Sequence, residues 1–160
     1  MQEVHDNIRR IVEFPPQLVQ VVHALPDGQV RYKPANQWSI VEHIGHLIDI
    51  DRLYLHRIEL ILTQEHQPFA LFSIDEVHQQ GHYQTRPIAE LIAVLTETHN
   101  HIGHLLHGLK PDQMMRIGLD SYFGAITLAQ LIEILVNHQD EHYHHICAIA
   151  DYPSHNRIQG

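Results

Sequence analysis

"TLAQLIEILVNHQDEHYHHICAIA", Thr127 to Ala150, reads as one long amphipathic helix. Thr127 with Gln130 three residues later forms a capping box, in which side chains and backbone N–H groups satisfy each other reciprocally. Leu128, Leu131, Leu135, Ile146 and Ile149 recur at the 3.6-residue helical period and mark the buried face. His138 and His142 lie within that stripe and His145 at its edge, where a helix packed on others normally carries Leu or Ile. Asn137 and His144 point away. Burying an unpaired imidazole is costly. Two histidines at i, i+4 on an inward face can converge on one ion. The spacing therefore predicts a metal site whose third ligand comes from another helix.

Three upstream segments show the same periodicity. The first runs from about Gln2 to Leu25, and Pro15-Pro16 is expected to break or kink it. The turn-rich "PDGQVRYKPANQW" follows. The second opens on the capping box Ser39-Ile-Val-Glu42 and reaches about Thr63. Its apolar stripe is Ile40, Ile44, Leu47, Ile48, Leu55, Ile58 and Leu62, and Ile50, Leu53 and Tyr54 form a second flank, so two sides face neighbours. Ser73-Ile-Asp-Glu76 is a further capping-box candidate, for a short helix ending near Gly81. The third long segment starts at Pro87, buries Ile88, Leu91, Leu95, Ile102, Leu105 and Leu109, and ends at Gly108 and Pro111. The stretch "PDQMMRIGLDSYFGAI" reads as a loop. Four long amphipathic helices without a strand pattern predict an all-α fold, a four-helix bundle with short extra helices, with residues 1–160 as a single domain.

Composition excludes several function classes. The balance is acidic, 19 Asp plus Glu against 10 Lys plus Arg, net −9 with histidine neutral. Phosphate backbones need clustered Lys and Arg, so no nucleic acid is expected as a partner. No apolar run approaches the ~20 residues of a membrane span. One cysteine, Cys147, permits no internal disulfide, and no N-terminal signal stands out; both fit a cytoplasmic location. Cys147 lies off the histidine face with no activating base and reads as an inert structural thiol. Histidine is the outlier, with 17 in 160 residues.

Most of these histidines read as solvated: His5, His23, His56, His66, His78, His82 and His155 have no context that lifts them, and His101, His104 and His107 turn away from their helix's buried stripe. The third ligand could be His99 on the third segment, or His43 or His46 on the second, with Asp49 one turn beyond His46. Periodicity does not choose between His43 and His46. "HQDEH" fits the H-x-x-E-H pattern of one class of zinc protease. Such enzymes require a downstream acidic ligand on another helix, and after Glu141 only Asp151 remains as an acid, so that reading fails.

The two helices together resemble a known family. Trp38, Ser39, Glu42, His46 and Leu47, followed by Thr127-Leu128, His138, His142, His145 and Ile146, resemble the DinB-like metal-binding four-helix bundles, in particular their YfiT-type branch. The approach "RYKPANQWS" is similar to that branch's Tyr-x-Pro lead into the Trp, and the resemblance spans nearly the whole chain. It implies one divalent metal ion per chain, nickel or zinc, held by His46, His138 and His142, with open positions for water. It also implies a homodimer. Family members share fold and site but not reaction: some are described as metal-dependent hydrolases, and relatives use low-molecular-weight thiols in transferase or isomerase chemistry.

Three neutral imidazoles leave an ion's charge uncompensated, and an open position then activates water or a thiol. Three readings follow: a metal-dependent hydrolase of a small molecule, a thiol-dependent S-transferase using the same metal, and a non-catalytic metal-binding bundle. His145 and Glu141 are the candidate general bases. Asp49 and Glu141 otherwise read as solvated groups or as partners that orient an imidazole. Trp38 reads as a core anchor at the helix entrance. Arg52, Arg57, Arg86 and Arg116 are the cations available to hold a thiol's carboxylates.

Overall fold

A computed structural model of the chain describes residues 2–35, 37–71 and 73–151. The helices are α1 (Gln2–Val22), α2 (Asp27–Val30), α3 (Ile40–Thr63), α4 (Ile74–Gln80), α5 (Ile88–Leu106), α6 (Pro111–Met114) and α7 (Leu128–Ala150). Strands β1 (Ile117–Asp120) and β2 (Gly124–Thr127) precede α7. The four long helices form the bundle. Both α1 and α3 pack against α5 and α7, so α1 lies diagonal to α3, and α5 diagonal to α7. The chain therefore crosses the bundle between α1 and α3 and again between α5 and α7. Consequently α3 and α7, the two helices rich in inward histidines, are direct neighbours.

Both long capping boxes are present. Ser39 Oγ accepts the Glu42 N–H while Glu42 Oε2 accepts the Ser39 N–H. Thr127 Oγ1 accepts the Gln130 N–H while Gln130 Oε1 accepts the Thr127 N–H. Each such cap stabilises its helix by about 1 kcal/mol. The third candidate does not form: Ser73 makes no side-chain cap to α4.

Two further expectations are corrected. Pro15 and Pro16 lie inside α1 without ending it. Pro15 has no N–H to give the Ile11 carbonyl one turn back, and that carbonyl is taken instead by His99 Nδ1 of α5 at 2.6 Å. A side chain from another helix thus fills the gap in the ladder. The loop before α7 contains a helical turn, α6, and an antiparallel hairpin pairing Ile117 with Thr127 and Asp120 with Gly124. Asp120 Oδ1 accepts the N–H groups of Tyr122 and Phe123, and Gly124 closes the turn at φ +75°, a left-handed conformation open to glycine.

The apolar core lies in two parts along the bundle. One contains Ile58, Ile61, Ile102, Leu106, Leu131 and Leu135; the other contains Leu18, Ile40, Ile44, Leu47, Leu91 and Ile146. Polar residues are buried on the inward turns of the same helices: His43, His46, Asp49 and Asp51 on α3, His99 on α5, and Gln139 and His142 on α7. Among the described residues no helix is long and apolar enough to cross a membrane.

Candidate metal centre

His46 lies in the second turn of α3, and His138 and His142 lie one turn apart on α7. One ring nitrogen from each lies within 4.8 Å of the other two. His46 Nε2 and His138 Nε2 are 3.0 Å apart. Around a tetrahedral ion with metal–nitrogen bonds of 2.0–2.1 Å, ligand nitrogens sit about 3.3 Å from one another. The cluster is therefore near ligand spacing. His46 and His142 are buried and His138 is half-buried.

Electrostatics favours the ligand form of all three rings. Burial pushes the His46 imidazole down to about 3, with His138, His78 and His43 adding repulsion. Burial likewise depresses His142, to about 2, helped by His138, His46, His43 and His145. His138 is lowered by burial against the opposing pull of Glu141 and Asp51. Neutral imidazoles with free lone pairs are what a divalent ion requires. The residues present thus fit a three-histidine site.

Around this cluster the structure brings in residues that sequence periodicity does not single out. Trp38 is not a plain core anchor: its ring is 4.9 Å from the His46 ring and stacks on His78 at 4.5 Å. His78, expected at the surface, comes from α4 to stand 6.0 Å from His46, edge to face. Its position depends on how α4 packs on α3, which a short helix does not announce in sequence. Asp49 is not solvated. It is 3% exposed, accepts a hydrogen bond from Tyr83 at 2.6 Å, and has its carboxyl pushed up by burial, against the lowering influence of Tyr83 and His78. Tyr83 is held there by Gly45, where a Cβ would meet the ring at 2.1 Å. A cleft of about 390 Å³ adjoins the cluster through Trp38 and His78, and is further lined by Glu42, His82, Tyr83 and Gln84.

The remaining candidates lie apart. His145 is exposed and stacks on His43 at 5.5 Å. Glu141 is exposed and bears on His138 through its charge. His43 is buried with its Nδ1 2.8 Å from Nδ1 of His142. His99 is buried elsewhere, between the Ile11 carbonyl and Asp51. His5, His23, His56, His66, His82, His101, His104 and His107 are exposed, and His155 lies outside the described residues. Of the cations, Arg57 pairs with Asp120, Arg86 with Glu90 and Arg116 with Glu65, while Arg52 borders a separate cleft with Asp49, His56 and Leu71.

Fold and site together define a class: a four-helix bundle with diagonal connections and three convergent histidines on two adjacent helices. Residues 10–146 match the family model described as the DinB superfamily, and the chain belongs to that family. Its structure is similar to that of YfiT from Bacillus subtilis, with a TM-score of 0.85 and 23% sequence identity, over 92% of this chain and 85% of that one. That protein is described as a probable metal-dependent hydrolase with an unusual four-helix bundle topology. Comparison with curated proteins gives no match.

Proposed function

We propose that this chain is a metal-dependent hydrolase of a small molecule, with a divalent ion held by His46, His138 and His142. The observation that carries the reading is the convergence of three imidazoles, neutral by burial, beside a cleft. Imidazole suits zinc and nickel alike, so either ion fits the donor set. When bound, such an ion supplies Lewis-acid activation of water near neutral pH. The protein's own groups then bind and exclude. Trp38 and His78 form the side of the cleft nearest the cluster, and Tyr83, Gln84 and Glu42 offer hydrogen bonds to a polar substrate. Asp49, whose carboxyl is raised, holds the Tyr83 hydroxyl at the cleft wall.

One observation favours hydrolysis over thiol transfer. Among the described residues no Arg or Lys lines this cleft, and Glu42 adds a negative charge that Lys33 already pairs. A carboxylate-bearing thiol would meet the Glu42 carboxylate there, and the adjoining cations Lys33 and Arg31 are already engaged with Glu42 and with the Gln84 and Arg86 carbonyls. The test combines metal content with turnover. Elemental analysis should give one divalent ion per reconstituted chain and a large loss of metal in His46→Ala. A panel of neutral esters and amides should then be hydrolysed only by the loaded protein. Unchanged metal in His46→Ala would refute the triad. Metal-dependent conjugation of an electrophile to a small thiol, without hydrolysis, would replace this reading by the transferase.

A further inference from the structure

Resting on the metal site just proposed, we infer that His43 is a positioning residue that fixes the tautomer and orientation of His142, so that His142 presents Nε2 to the ion. His43 Nδ1 and His142 Nδ1 are 2.8 Å apart, both side chains are buried, and their rings meet at 63°. Two nitrogens at that distance share one proton, and the proton's place follows from the ligand's needs. A ligating imidazole must keep one lone pair for the ion and carry its hydrogen on the other nitrogen. His142 Nδ1 faces His43, so Nδ1–H donates to His43 and Nε2 is left for the ion. His43 then carries its own hydrogen on Nε2.

His43 is packed between two other rings. Its ring is stacked on His145 at 5.5 Å and 7°, and Trp38 meets it at 5.5 Å. His43 and His46 lie one turn apart on α3, so a single helix face supplies both a ligand and the partner of another ligand. His46 shows the contrast: its Nδ1 is buried with no hydrogen-bond partner among the described residues. His142, by contrast, has its Nδ1 engaged by a side chain of the protein. This also accounts for both histidines of "EHIGH" facing inward, where sequence periodicity leaves them equivalent.

Two substitutions separate hydrogen bonding from packing. His43→Phe keeps a ring for the stack and removes the acceptor. His43→Asn loses the ring and places an amide oxygen where Nδ1 stood. Zinc affinity, measured by competition with a chromophoric chelator, should fall about 10- to 100-fold in the Phe variant and stay within about threefold of wild type in the Asn variant, the scale seen when partners of ligating histidines are removed. Nitrogen NMR of the metal-free wild type should show His142 as the Nδ1–H tautomer, and this preference should be lost in the Phe variant. Wild-type affinity in His43→Phe, or an Asn variant as weak as Phe, would overturn the positioning role while leaving the triad intact. Failure of the wild type itself to bind zinc would overturn the metal site and this inference together.

Discussion

His99→Leu should be among the most destabilising substitutions in this protein, by a mechanism confined to one buried ion pair. His99 and Asp51 are both fully buried. Both ring nitrogens of His99 face acceptors, the Ile11 carbonyl at 2.6 Å and Asp51 Oδ2 at 2.8 Å. A neutral imidazole has one N–H and satisfies one of them; the imidazolium satisfies both. Burial opposes that charge, but Asp51 through charge and hydrogen bond, and Ile11 through its carbonyl, outweigh it and hold the ring's pKa above its usual value. Leucine would leave the Asp51 carboxylate with Gln139, at 3.1 Å, as its remaining side-chain donor among the described residues, and would strand the carbonyl that Pro15 cannot serve. Breaking a buried pair by removing one partner costs about 3–5 kcal/mol. At roughly 2–4 °C per kcal/mol for a domain of this size, the thermal midpoint should fall by about 6–20 °C.

The sign of the pH dependence provides a second readout. A base whose folded pKa is raised contributes stability that is fully present below its unfolded value of about 6.5 and is lost as pH rises through the folded value. Metal-free wild type should therefore weaken on the alkaline side, and His99→Leu should lack that limb. Urea unfolding of the chelator-treated protein from about pH 6 to pH 9 would measure it. In a cycle with Asp51→Ala the double variant should cost well under the sum of the singles, because no unpaired charge remains. Additive losses, or an unchanged alkaline limb in His99→Leu, would refute a charged pair.

On the acid side the metal-free protein should also lose stability, because His43, His46 and His142 have folded pKa values depressed to about 4, about 3 and lower still. Each such ring costs up to about 2 kcal/mol at pH 5 relative to pH 7, and a thermal midpoint that is flat from pH 7.5 to pH 5 would contradict this. In the loaded protein, acid should release the metal before the bundle unfolds, because protons compete for the same nitrogens; simultaneous metal release and loss of helical circular dichroism would contradict that order. Gly45→Ala should destabilise by about 1–3 kcal/mol through overpacking, since its Cβ would meet Cγ at the base of the Tyr83 ring and not a flexible tip. The displaced Tyr83 would take its hydrogen bond from Asp49, seen by NMR as a carboxyl pKa raised further, and a neutral Gly45→Ala would show that the turn over α3 yields freely.

Local signals make α3 and α7 legible in the amino-acid sequence. Their N-termini are written by Ser39 with Glu42 and Thr127 with Gln130, which depend on residues three apart. His138 and His142 are legible for the same reason, since one helix fixes their relation. What is not legible depends on partners distant in sequence. The continuity of α1 through Pro15 rests on His99, 88 residues from the Ile11 carbonyl it serves. The four-residue strands β1 and β2 are too short for alternation to register, and they are set by pairing with each other and by the Pro68–Leu119 bridge. His78 joins the site only because α4 folds back on α3. His43 and His46 are not told apart by periodicity because α3 is buried on several sides and both point inward.

The buried histidines of this bundle divide into two chemistries, and the carboxylates on α3 decide which is which. Asp51 accepts from His99 at 2.8 Å, and its charge and hydrogen bond raise that histidine's pKa against burial. Asp49 is occupied by the Tyr83 hydroxyl, and among the described residues no acid is hydrogen-bonded to the ring of His46, one turn before it. Around His46 and His142 the close rings are other imidazoles and Trp38, so burial and histidine repulsion push both pKa values down, while burial alone lowers His138 against Glu141 and Asp51. A carboxylate hydrogen-bonded to one of these rings would raise that ring's pKa, as Asp51 does for His99, and make protons stronger competitors for its nitrogen. Asp51, whose charge bears on His138 from the core, accepts instead from His99 and Gln139. His99, which bridges the proline gap in α1, is thus also a hydrogen-bond partner of that acid.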